Sequence, residues 1–258
     1  MLQKEQEIIP YQKRDLTGRR VLVFAPHPDD ETLGCGGSLA LHTRAEDPVR
    51  VVFLTNGSRG DFSGKAKRDE YIELRRKEAI KASQVLGVTD VVFWSYEDRH
   101  LAESKGILSR MVDALEGYNP QLVYVPSPLE FHPDHRAASF FVCQAIRRYS
   151  GENEIAFCEI GQPIWVNCLV DISGVLNRKK KAIKAYKSQL KEASYGDISL
   201  ALNRFRSLTL SKEATHAEGF SLWNSDEIRR KGSRTLPYHL LKRLQADYNA
   251  LEKLFENE

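Results

Sequence analysis

Six short runs of almost unbroken apolar residues, separated by longer segments with helical spacing, leave this chain few folds to choose from. They are "RVLVFA" (20–25), "VRVVFLT" (49–55), "VVFWS" (91–95), "QLVYVP" (121–126), "EIAFCEI" (154–160) and "VNCLVDI" (166–172). A strand that is apolar at nearly every position must be covered on both faces, which is the situation of a parallel sheet between two layers of helices. The intervening "GSLALHTRAE" (37–46), "KRDEYIELRRKEAIKASQVLG" (67–87) and "SKGILSRMVDALEG" (104–117) read as helices, the latter two ending on a glycine suited to a left-handed C-cap. The order βαβαβ predicts an α/β fold: a Rossmann-like, doubly wound, mostly parallel sheet with helices on both faces. Beyond residue 171 the pattern predicts a helix over 173–192, an irregular segment to about 222 and a charged connector, "NSDEIRRKGSR". A terminal helix follows, with Leu240, Leu244, Tyr248, Leu251 and Phe255 at helical spacing. The expected organisation is an N-terminal extension (1–19), one domain (20–222), and a connector with a C-terminal helix (223–258).

Charge excludes little except a nucleic-acid footprint. The 38 basic and 35 acidic residues leave a net +3, and only "NRKKKAIKAYK" concentrates basic residues. No run approaches the roughly 18 apolar residues of a membrane span, and "MLQKEQEIIPYQKRD" is too polar for a signal peptide. A cytoplasmic protein is expected. Cys35, Cys143, Cys158 and Cys168 form no CxxC pair, and most lie in apolar segments, so reduced core thiols are expected rather than disulfides or a metal cluster.

The first apolar run leads directly into "PHPDDETLGCGG" (26–37), which places a histidine and three carboxylates within five residues. Carboxylates at a helix start complement the helix dipole and cap free amides, and that accounts for Glu31. It does not account for His27, at the carboxyl end of a strand, where α/β folds place their ligands. "SPLEFHPDHRAAS" (127–139) repeats the arrangement after the fourth run. With strand order 3-2-1-4, the two His-Pro-Asp turns open on one crevice, and His27 faces His135.

Two histidines and a carboxylate form the three-ligand set of a catalytic zinc with a fourth position for water; ferrous iron is the alternative. Each cluster also carries a spare group, Asp29 beside Asp30 and His132 before His135. A carboxylate and an imidazole beside a metal are a general base and an electrophile for hydrolysis. His42 and His100 read as packed or solvated. "GCGG" lacks the GxGxxG spacing of a dinucleotide site, and the second run ends in "LTNG" rather than an acidic residue.

With both motifs in view, "APHPDDE" (25–31) and "HPDH" (132–135) resemble the signatures of the LmbE-like, or PIG-L, metal-dependent de-N-acetylases, which act on N-acetylglucosamine-type sugars. "LTNGSRG", "RRKEAIKASQVLG" and "AEGFSL" extend the resemblance to about residue 222. It implies His27, Asp30 and His135 as metal ligands, Asp29 as base, His132 as oxyanion donor and Asp134 as the group orienting it. Arg75 and Asp98 are then contacts to sugar hydroxyls. Relatives often carry a histidine at the position of Tyr186, whose role the resemblance leaves open. The implied partner is an acetylated aminosugar or glycoconjugate, not nucleic acid. The alternatives are a metal-dependent hydrolase of another amide or ester, and a non-catalytic metal- or sugar-binding protein. The terminal helix is expected to dock on its own domain or to mediate homo-oligomerisation.

Overall fold

A computed structural model describes residues 4–231. The six apolar runs become Val21–Ala25 (β1), Val49–Thr55 (β2), Asp90–Tyr96 (β3), Leu122–Pro126 (β4), Glu154–Cys158 (β5) and Cys168–Asp171 (β6). A seventh strand, Ala217–Asn224 (β7), joins them in the order β3-β2-β1-β4-β5-β7-β6. β1 to β5 pair in parallel, and β7 runs antiparallel to both β5 and β6. The sheet is therefore doubly wound and mostly parallel, as its apolar runs require.

Side chains alternate between two cores. Val21, Val23 and Ala25 of β1 face one, and Leu22 and Phe24 face the other. Full burial of each larger side chain contributes roughly 1.5–3 kcal/mol, so apolar residues at every position stabilise the strand from both sides. Helices Asp30–Arg44 (α2) and Arg68–Leu86 (α3) cover the first core, and Ile107–Tyr118 (α4) and Pro133–Ile146 (α5) the second. Glu5–Ile8 forms a short α1, and Leu16, further along the same N-terminal segment, is buried in the first core. Gly87 takes the left-handed C-cap of α3, whereas α4 runs past Gly117 and Asn119 adopts that conformation.

The later half departs from the sequence expectation. The single helix expected over 173–192 is broken into Leu176–Ile183 (α6) and Lys187–Glu192 (α7), because Tyr186 turns into the core at φ −83, ψ 58. The segment expected to be irregular contains helix Tyr195–Arg206 (α8) and most of β7, which continues to Asn224. β7 escapes notice because Glu218 interrupts its apolar pattern, although that residue is 0% exposed. Part of the expected connector is helix Ser225–Lys231 (α9), with Ile228 buried in the second core. The expected terminal helix, and any oligomer contact through it, lies outside the described residues.

Glu218 has a definite task. Within α2, Cys35 leaves the helical region (φ −143), and the helix is kinked there. Glu218 accepts from Gly37 N, Ser38 N and Ser38 Oγ, each at 2.7 Å. Lys179 Nζ donates to the Leu33 carbonyl at 2.9 Å and to Glu218 at 2.8 Å. A buried ion pair thus satisfies both sides of the kink. Gly37 is required here, since a Cβ would lie 2.6 Å from the Ile172 side chain.

Candidate active site

β1 and β4 are neighbours, and the turns leaving their carboxyl ends carry the two motifs. In the second turn Pro133 occupies the first turn of α5 and His132 is its N-cap, its Nδ1 accepting from Asp134 N at 3.2 Å. In the first, Asp29 adopts φ 127, ψ −27, a conformation that costs a residue with a side chain about 1–3 kcal/mol. Three contacts hold it. Asp29 N donates to Glu31 Oε2 at 3.2 Å, Arg75 Nη2 donates to the Pro28 carbonyl, and Arg75 Nη2 lies 3.3 Å from Asp29 Oδ2.

The strain separates two adjacent carboxylates, one towards Arg75 and the other into a triangle. Asp30 Oδ2 is 3.1 Å from His27 Nδ1 and 3.2 Å from His135 Nε2, and the two nitrogens are 3.3 Å apart. Donors about 2.0–2.1 Å from a tetrahedral zinc ion are separated by roughly 3.3 Å. The three atoms therefore have the spacing of one face of such a tetrahedron, and the residues fit the metal that the motifs imply. His27, His132 and His135 also form a candidate metal group, as do His27, Asp98 and Asp134. Hydrogen bonding explains the latter: His27 Nε2 is 3.2 Å from Asp134 Oδ2 and 3.3 Å from Asp98 Oδ1. These carboxylates fix the ring so that Nδ1 faces the triangle.

The environments of the spare groups differ. Burial raises the Asp29 carboxyl to about 6, with the Arg75 charge opposing. Burial, followed by the positive charges of His27 and His135, pushes His132 down to about 4. A neutral His132 that accepts at Nδ1 carries its proton on Nε2, so it is a donor without a second proton. Burial raises Glu31 to about 7 against hydrogen bonds from Thr32 and from Tyr186, whose hydroxyl donates at 2.6 Å. Tyr186 thus steadies the residue that holds the Asp29 backbone.

Three expected roles look different in place. The Asp134 carboxylate accepts from Arg99 N at 2.6 Å and Leu101 N at 3.1 Å and faces His27; its link to His132 is through its own backbone N–H. Arg75 is 1% exposed behind Asp29, where its Nε and Nη1 find no partner among the described residues. Asp98 is 4% exposed and accepts from Arg59 N at 2.9 Å. His42 is buried against Asp47 and Tyr124, His100 pairs with Glu103, and all four thiols are free and buried. Sequence reasoning missed Glu130, a buried carboxylate inside the second motif whose only signal was a charge in a turn rich in apolar residues.

A doubly wound, mostly parallel sheet with a His–Asp–His triangle and spare acid–base groups at its switch point is a Rossmann-like α/β framework equipped for hydrolysis. Residues 22–146 match the model of the PIG-L family, described as GlcNAc-PI de-N-acetylase. A probable N-acetyl-alpha-D-glucosaminyl L-malate deacetylase 2 of Bacillus anthracis is 32% identical over 66% of this chain and 81% of its own. A diacetylchitobiose deacetylase of Thermococcus kodakarensis is 28% identical over 67% and 71%. The solved N,N'-diacetylchitobiose deacetylase of Pyrococcus horikoshii shares the fold, with a TM-score of 0.73 at 24% identity, over 81% of this chain and 86% of that one. The chain belongs to the PIG-L family and is an enzyme of its deacetylase class.

Proposed function

We propose that the protein is a zinc-dependent hydrolase that removes the N-acetyl group from an N-acetylglucosamine-type sugar or glycoconjugate. The observation that carries this reading is the His27–Asp30–His135 triangle with Asp29 and His132 left over beside it. The named activities of the relatives support the substrate class. Ferrous iron would suit the same donors. A cytoplasmic setting suits the free thiols, and no described helix is long and apolar enough to cross a membrane.

His27, Asp30 and His135 hold the metal. When bound, it supplies Lewis acidity, which lowers the pKa of water from 15.7 towards about 7 and polarises an amide carbonyl. Asp29 takes a proton from the attacking water and passes it to the departing nitrogen, which cannot leave as an anion. His132 donates from Nε2 to the oxygen that gains charge. Arg75 steadies Asp29, and Asp98 and Asp134 steady His27.

Metal analysis of purified variants, with an activity screen, tests this. Asp30→Ala and His135→Ala should lose both zinc and turnover, whereas Asp29→Ala should keep zinc and lose turnover. The native protein should hydrolyse an N-acetylglucosaminide far faster than an aliphatic acetamide, and only without chelator. Equal kcat/KM for the two amides would defeat the sugar reading, and an Asp29→Ala protein as empty as Asp30→Ala would reverse the roles.

A further inference from the structure

Glu130 lies two residues before His132 and is 1% exposed. Its carboxylate is wrapped by consecutive amides of the loop after β5: Ile160 N at 2.9 Å, Gly161 N at 3.0 and 3.1 Å, and Gln162 N at 3.4 Å. Gly161 permits the wrap, because a Cβ there would run into the Phe131 ring and come within 3.0 Å of Glu130 Oε2. On its other side Oε2 faces His135 Nδ1 at 3.5 Å. That nitrogen is buried and has no hydrogen-bond partner among the described residues. The gap is longer than a good hydrogen bond, yet the need for one is clear. A neutral imidazole that ligates through Nε2 carries its proton on Nδ1, and a buried donor left unpaired costs about 1–3 kcal/mol.

We propose that Glu130 is a positioning residue for the metal site. It accepts the Nδ1 proton of His135, selects the tautomer whose Nε2 lone pair points into the triangle, and ties that ring to the backbone of residues 160–162. The role rests on the metal reading of His27, Asp30 and His135 but on no particular substrate or reaction. Glutamine is the informative replacement because it keeps the size and cannot meet both demands. With its oxygen towards the loop amides, its NH2 faces His135 and favours the tautomer protonated on Nε2. Turned round, it sets its NH2 against the amide donors.

The test is a zinc titration of metal-free protein against a chromophoric chelator, without substrate, for the native chain and Glu130→Gln. Circular dichroism checks that the variant is folded. Loss of this contact should weaken zinc binding about 10–100-fold, as outer hydrogen bonds to ligating histidines typically do. Nitrogen-15 NMR of the zinc-loaded native protein, independent of any variant, should find His135 protonated on Nδ1. A folded Glu130→Gln protein with unchanged zinc affinity, or a native His135 protonated on Nε2, overturns the role of Glu130 and leaves the deacetylase reading standing. A native chain that binds no zinc overturns the zinc reading of the site together with the role of Glu130.

Discussion

Asp29 and Asp30 are chemically identical neighbours that one backbone torsion sends to different work. At φ 127 the first lies against Arg75, while the second opens α2 and reaches both histidines. His132 depends equally on local geometry, since the Asp134 backbone amide occupies its Nδ1 and leaves Nε2 as the donor. Truncation to His132→Ala should lower kcat by about 10²–10³ with little change in KM or bound zinc. Steady-state kinetics with metal analysis checks this, and an effect confined to KM would make His132 a binding group instead. The His-Pro-Asp turns were legible because all their determinants lie within a few residues of one another. Glu130 and the unpartnered donors of Arg75 were not, because their meaning depends on what the fold brings beside them.

At the scale of elements, α2 is held by residues remote in sequence. The Lys179–Glu218 pair fills the interrupted turn between Leu33 and Gly37, and both side chains are 0% exposed. Removing one member strands the other charge in the core, so Lys179→Met should destabilise the protein by about 3–5 kcal/mol. Denaturant unfolding measures this, and a loss below about 1 kcal/mol would mean that the backbone amides alone satisfy Glu218. The same pair marks where sequence reasoning ran out. β1 to β6 were readable because local apolar runs define them. β7 was not, since a buried charged residue, Glu218, sits near its start, and the break before α7 was not, since Tyr186 leaves the helix for Glu31, 155 positions away.

Across the whole molecule, His42 joins α2 to the sheet, with Nδ1 2.7 Å from Asp47 and Nε2 3.0 Å from the Tyr124 hydroxyl. Burial lowers its pKa below the ordinary 6.5, against the pull of Asp47. The unfolded chain then binds the proton more readily than the folded one. The contribution of His42 is therefore fully present above pH 6.5 and declines as the pH falls through the range below it. Between pH 7.5 and 5.5 the native protein should lose more stability than His42→Gln, measured as urea midpoints. Equal losses would place the acid sensitivity elsewhere.

β7 enters the sheet between β5 and β6, both of which precede it in the chain. During synthesis at roughly 5–20 residues per second, His27, Asp30 and His135 leave the ribosome well before Glu218, the carboxylate that completes α2. Until residue 218 emerges, Lys179 has no counter-charge, β6 has no neighbour in the sheet, and the kink in α2 has open amides. The last strand therefore acts as a clasp on work begun at the other end of the chain, and a nascent protein stopped before it would carry every proposed site residue without the strand that braces α2.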